Sequence, residues 1–207
     1  MMRQKFFIDS HKAANAVAVL ALMAWAGAWD NPTAWLYLAL HGTYGLLWIL
    51  KSRAFPDRSW EAPCSLPYGL LIWTGLSLYW VTPWWIVNFD VRVSPAYAAG
   101  CVALYALGVF LHFAADMQKH TSLALRPGVL IQEGLWARVR NPNYLGELFI
   151  YLGFGLLAQH WVPLIALAIF VSVVWIPNML KKDRSLARYP EFEAYRERSW
   201  LFLPPFW

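Results

Sequence analysis

Six stretches of this chain are apolar enough, and long enough or nearly so, to cross a bilayer, and this limits its fold more than any other feature. They run from about Ala13 to Trp29, Ala34 to Leu50, Pro67 to Val87, Pro95 to Ala115, Tyr144 to Ala158 and Trp161 to Leu180. A helix rises about 1.5 Å per residue, so roughly 17–25 apolar residues traverse a hydrocarbon core about 30 Å thick. Backbone groups in lipid must satisfy their own hydrogen bonds, and a run of this length does so as a helix. The pattern predicts an all-α, polytopic membrane bundle of about six helices. Its composition agrees, with 59% hydrophobic and 14% charged residues, against roughly half and a quarter in soluble domains. At 207 residues a single domain is expected. No short apolar run with a small-residue cleavage site stands apart at the start, so the first run is expected to stay in the membrane.

Cations set the expected orientation. Arg3, Lys5 and Lys12 precede the first run, and Lys51, Arg53 and Arg58 follow the second. Lys119, Arg126, Arg138 and Arg140 lie between the fourth and fifth, and the remaining six lie in the tail from Lys181. Every Lys and Arg except Arg92 therefore falls on alternate loops. Six spans with both termini in the cytoplasm satisfy the positive-inside rule, whereas five or seven would not. The net charge of +5 is explained by this topology, so nucleic-acid binding has no support. Cys64 and Cys101 have no metal-ligand spacing and are not expected to form a disulfide. The five histidines are scattered, and no metal site is visible.

Polar residues within or beside the apolar runs carry the functional argument. His112 and Asp116 are spaced i, i+4 and share a helix face. They are either a solvated helix end or groups facing a polar interior. His41 and Tyr44 lie inside the second run, either as interhelical hydrogen-bonding groups or as lining of the same interior. The densest signal is Gly134-Leu-Trp-Ala-Arg-Val-Arg-Asn-Pro-Asn-Tyr-Leu-Gly-Glu147. Pro142 disfavours helix at Asn141 and suits the first turn of the next helix, which makes Asn141 the expected N-cap. Asn143, Tyr144 and Glu147 then occupy its first turns. Glu147 facing lipid is excluded on cost, so it should face a site or a polar partner. The helix N-terminus beside Arg138 and Arg140 suits phosphate or carboxylate.

The tail alternates acids and bases from Lys181 to Arg198, as solvated helices do. Tyr189, Phe192 and Tyr195 recur every three residues and should form one aromatic face. Trp200, Phe202, Phe206 and Trp207 are expected to return the chain to the membrane interface. A cytoplasmic C-terminal cap over the bundle fits these features.

The Asn-Pro-Asn-Tyr-Leu-Gly-Glu run, the upstream Asp116 and Arg126-Pro-Gly128, and a tail ending in an aromatic-flanked Pro204 together resemble steroid 5α-reductases and their bacterial relatives. The likeness covers His112 to Trp207, which would be the cofactor-binding half of one transmembrane domain. The same superfamily includes isoprenylcysteine carboxyl methyltransferases and phospholipid methyltransferases. The resemblance implies an NADPH-dependent reductase of an activated C=C bond in a steroid-like, enone or polyprenyl lipid. It places Asp116, Arg126, Asn143, Glu147, Asp183, Arg184, Tyr195 and Arg198 around the cofactor, and Arg140 and Tyr144 beside them in the motif complete the candidate set. Tyr44 and His41 are candidates for polarising the acceptor carbonyl. The alternative is an S-adenosylmethionine-dependent methyltransferase acting on a lipid or prenylated substrate. Its glutamate pair is missing, Lys182-Asp183-Arg184 stands near that place, and Asn141 replaces the motif histidine. Six spans, however, is fewer than the usual seven of the reductases, and the first two runs carry no carboxylate. A non-catalytic carrier is the third reading. A bacterial inner membrane is the expected location.

Overall fold

The computed structural model describes residues 2–203. Pro204, Phe206 and Trp207 of the expected tail lie outside the described residues. Nine α-helices occur among the described residues: α1 Gln4–Ala26, α2 Pro32–Ala54, α3 Leu66–Ser77, α4 Val81–Asn88, α5 Pro95–Leu125, α6 Pro142–Gly155, α7 Val162–Phe170, α8 Ile176–Leu186 and α9 Phe192–Glu197. A two-residue antiparallel ladder, β1 Met2–Arg3 with β2 Pro63–Cys64, is the one sheet among them.

Four stretches are both long and apolar enough to span a bilayer: Gln4–Ala26, Leu66–Asn88, Pro95–Leu125 and Val162–Leu186. The chain is an all-α integral membrane protein. The other two expected runs are also helical, but α2 is diluted by His41, Ser52, Lys51 and Arg53, and α6 has only 14 residues. Three helices run past their expected ends. α1 starts at Gln4, well before Ala13, because no proline or glycine interrupts its amphipathic first turns, which bury Phe7, Ile8 and His11. α5 passes Ala115 and stops where Pro127 disfavours helix at Arg126, with Gly128 at φ 81° behind it. α8 likewise carries the last apolar run on to Leu186.

Prolines also explain two breaks inside the spans. Pro83 has no N–H for the carbonyl of Tyr79, four residues back, and its ring crowds that position. The chain winds there as a 3₁₀ turn, Leu78–Trp80, between α3 and α4. Pro177 does the same to Val173, inside the π-helical turn Val171–Trp175 that joins α7 to α8. A π turn is rare and is found frequently at functional sites.

Two compact units emerge. One holds the chain up to Tyr105 together with Leu152–Ala166, and the other holds Ala106–Tyr151 together with the chain from Leu167 onward. In the first, α1 packs on α2, α3 and α4. In the loops after α1 and after α4, Arg92, the exceptional cation, pairs with Asp30 at 2.9 Å and Asp90 at 3.0 Å. In the second, Gly108 and Gly146 let α5 and α6 touch by their backbones. A Cβ on Gly108 would stand 2.6 Å from the Gly146 carbonyl oxygen, and one on Gly146 would overlap the backbone of His112. This close approach sets His112 and Asp116 beside the first turn of α6.

Candidate functional site

In the second unit, the motif segment before α6, the first turns of α6, the end of α8 and the tail converge. Two backbone hydrogen bonds tie the tail down, Arg140 N–H to the Trp200 carbonyl at 2.7 Å and Trp200 N–H to the Arg138 carbonyl at 2.8 Å. Arg140 is buried and spends its guanidinium on the protein. Its Nε donates to Asp183 Oδ2 at 3.0 Å, and its Nη1 donates to the Ser199 carbonyl at 2.5 Å and Ser199 Oγ at 3.1 Å. Tyr195, also buried, donates from Oη to the Trp136 carbonyl at 2.5 Å. Burial pushes its phenol up to about 12. Phe192 and Tyr195 pack with Leu130, flanked by Leu186 and Tyr189, so the expected aromatic face of the tail is present as a small core.

Asn141 holds the N-cap position of α6 by its backbone, since its carbonyl accepts from Leu145 N–H at 3.1 Å. Its side chain departs from the expected cap. Oδ1 accepts from Lys182 Nζ at 2.5 Å, and Nδ2 donates to the Leu201 carbonyl at 2.7 Å. Lys182 also donates to the Arg140 carbonyl and lies 4.8 Å over the Trp136 ring. A nearby ammonium is a stronger donor than the free N–H groups of the first turn, so the amide turns toward it.

The remaining candidates divide by what they have to bond. His112 Nδ1 donates to the Asn143 carbonyl at 3.0 Å, and its Nε2 lies 3.9 Å from Asp116 Oδ2. Asn143 Oδ1 and Asp183 Oδ1 are buried and accept no hydrogen bond. Glu147 is half-buried one turn after Asn143, and Tyr144 lies against Trp175 of the π turn, ring centres 5.6 Å apart. Arg126 is exposed and pairs with Glu133, whose carboxyl it holds below the ordinary range. Arg198 is exposed and donates to Gln132, while Arg184 is exposed on α8.

His41 and Tyr44 belong to the first unit, where both are fully buried. A directed chain of hydrogen bonds passes through His41. Trp80 Nε1 donates to Asn15 Oδ1 at 3.0 Å, and Asn15 Nδ2 donates to His41 Nε2 at 3.0 Å. That leaves the proton on Nδ1, which faces Tyr37 Oη at 2.7 Å, and Tyr37 donates on to the Tyr79 carbonyl at 3.4 Å. This carbonyl lies four residues before Pro83. Tyr44 lies under Lys12, whose Nζ is 4.5 Å from its ring centre. Asn15, Lys182 and Ser199 had no signal of their own in the sequence, because each acquires its role from a partner 26 or more positions away, whereas Tyr37 stands one helical turn before His41, a spacing the sequence does show. Pro83 and Pro177 were the available clues to the breaks.

Residues 72–199 match the family described as "Protein of unknown function (DUF1295)". The chain belongs to this family. The matched segment contains every candidate of the second unit from Asp116 to Arg198, and neither His41 nor Tyr44. The chain is also similar to the Delta(14)-sterol reductase of Arabidopsis thaliana, with 29% identity over 104 residues. That alignment covers 44% of this chain and 28% of the relative, so the chain corresponds to under a third of that protein's length. No solved structure matches the chain.

Proposed function

We propose that this protein is a membrane-embedded, NADPH-dependent reductase of an activated C=C bond in a steroid-like, enone or polyprenyl lipid. The observation that carries the cofactor assignment is the pair of buried acceptors without donors, Asn143 Oδ1 and Asp183 Oδ1. An unmatched buried acceptor costs about 1–3 kcal/mol, so a bound group rich in donors is the natural complement. Ribose hydroxyls and a carboxamide NH₂ supply such donors. Asp116 on α5 and Glu147 and Tyr144 on α6 would hold the polar end of such a group. Arg126, Arg184 and Arg198 are exposed cations for its phosphates. Arg140 and Tyr195 act one step back, by fixing the tail against the motif segment. The similarity to a sterol reductase supports the reaction class, though only over part of that protein.

When bound, reduced nicotinamide would supply the hydride that the β-carbon of the acceptor takes up, with a proton from the protein or solvent completing the reduction at the α-carbon. For His41 to polarise a substrate carbonyl, it must exchange Tyr37 for the substrate as partner of its Nδ1 proton. Tyr44 is the second candidate for that task. In this reading residues 112–207 form the cofactor-binding half of a single domain. The topology is six spans with both termini cytoplasmic, and the tail caps the bundle. The pairing of Arg92 with two aspartates supports it, since the far side then has no net positive charge.

One observation favours the methyltransferase reading. Arg140 is consumed internally, and the carboxylates Asp116, Glu147 and Asp183 suit a cationic cofactor such as S-adenosylmethionine. Calorimetric titration of detergent-purified protein with NADPH and with S-adenosylmethionine separates the two. We expect saturable NADPH binding, weakened in Glu147→Gln and Arg126→Ala. Binding of S-adenosylmethionine alone, indifferent to Arg126→Ala, overturns the reductase, and binding of neither leaves a non-catalytic carrier.

A further inference from the structure

His11 on α1 is 1% exposed, and neither of its ring nitrogens has a hydrogen-bond partner among the described residues. A neutral imidazole carries one N–H and one lone pair, so a donor and an acceptor are both left unmatched. His11 lies about 10 Å along its helix from Gln4, within a stretch long and apolar enough to span the bilayer. Ionisable groups inside spans usually face a bundle interior or mark a substrate path. The polar neighbours of His11 are already engaged. Asn15 bonds Trp80 and His41, His41 bonds Tyr37, and Lys12 lies over the Tyr44 ring. A partner for His11 therefore comes from outside the protein.

Two tryptophans wall the imidazole. A Cβ on Gly69 would stand 2.1 Å from the Phe7 ring, so α3 approaches α1 closely there. One turn further along both helices, Trp73 meets His11 edge-on, ring centres 5.1 Å apart. Trp80, at the end of the 3₁₀ turn that breaks the span, stacks on His11 at 5.1 Å with planes 15° apart. Asn15 Oδ1 pins the Trp80 indole through its Nε1 at 3.0 Å, whereas Trp73 packs on His11 and Trp80 by ring contacts. Both tryptophans are half-buried on a stretch that is itself long and apolar enough to span the bilayer, so a molecule passing them to His11 arrives from the lipid. Flat apolar rings suit such walls, and the buried N–H calls for one acceptor oxygen.

We propose that His11 donates its ring N–H to the carbonyl oxygen of a flat ring ketone dissolved in the bilayer. Trp73 is the wall that yields as the rings of the ketone pack against the two indoles. The ketone class rests on the reductase reading, but binding needs no NADPH, so loss of NADPH binding and loss of ketone binding are read apart. His41 would have to leave Tyr37 for the same task, whereas His11 breaks no bond. Three probes with one saturated ring system test it by calorimetry on the detergent-purified full chain: androstanone, androstanol and androstane. Androstanone should bind saturably, and androstane, which lacks oxygen, should only partition into detergent. Equal binding of the two overturns the site, and tighter binding of androstanol overturns the ketone assignment in favour of an alcohol. His11→Phe keeps an aromatic ring without the nitrogens, so it should weaken androstanone about tenfold or more. Its melting temperature should hold or rise, because neither nitrogen bonds the protein. A lowered melting temperature with unchanged androstanone binding overturns the proposal and returns His11 to packing around a bound water. If His11→Phe does not fold, NMR of the wild-type chain labelled at its histidine nitrogens replaces it. Androstanone should then shift one ring N–H resonance, and no shift overturns the site.

Discussion

The hydrogen-bond chain through His41 and the polar patch around Asn143 and Asp183 are both buried, but they differ in what they leave open. In the first, Asn15, His41 and Tyr37 each serve a partner on both sides, from Trp80 to the Tyr79 carbonyl. In the second, two acceptors face no donor at all. A closed network stabilises and specifies packing, whereas an open one costs free energy until a ligand closes it. The difference separates residues that build the protein from residues that wait for a partner. Arg140 belongs with the builders although it sits in the motif. His11 and Tyr105 are exceptions in the first unit, since the His11 ring nitrogens, beside Trp73 and Trp80, and Tyr105 Oη have no hydrogen-bond partner.

The contrast can be broken most directly at Arg140. Arg140→Ala removes the partner of the largely buried Asp183 carboxylate and three bonds to the tail, at the carbonyls of Arg196 and Ser199 and at Ser199 Oγ, which should cost about 3–5 kcal/mol. The melting temperature in detergent should fall sharply, and the tail should become open to protease. His41→Leu comes next, leaving Asn15 and Tyr37 without their shared partner, at about 1–3 kcal/mol. If its thermal stability is unchanged, the chain is not the builder described here.

Asn143→Ala should do the opposite of His41→Leu. Oδ1 has no bond to lose, so stability should stay within about 0.5 kcal/mol, while NADPH binding weakens about tenfold, as read by calorimetry. Tyr195 sharpens the comparison by pH. Burial lifts its phenol from 10.0 to about 12, so the folded state keeps a proton that the unfolded chain releases. The stability this provides is complete below about pH 10 and is lost as pH rises toward 12. Tyr195→Phe should flatten that alkaline decline in a melting-temperature profile. The smallest effect belongs to Arg126→Ala. Its pair with Glu133 is exposed, so the stability cost should stay under about 1 kcal/mol and shrink further in salt.

The membrane bundle was legible because it rests on local quantities. Apolar runs, prolines at helix starts and alternating cationic loops are written in neighbouring residues, and the helices followed from them. The lengths were less legible. The apolar windows missed the amphipathic turns of α1 and α5, where no proline or glycine stops the helix. Asn141 shows the limit for the site. Pro142 placed it correctly at the start of α6, but its amide turns to Lys182, 41 positions away, and to Leu201, 60 positions away. Arg140 was expected beside a phosphate, and Asp183 and Ser199 occupy it instead.

Sequence alone determined that this chain lives in a bilayer as helices, and where its unusual polar residues lie along them. Only the tertiary structure decided which of those residues are already satisfied and which still lack a partner. The physical reason is range: helix formation and burial in lipid follow from adjacent residues, whereas a hydrogen-bond partner is supplied by whichever distant segment the packing brings within about 3 Å.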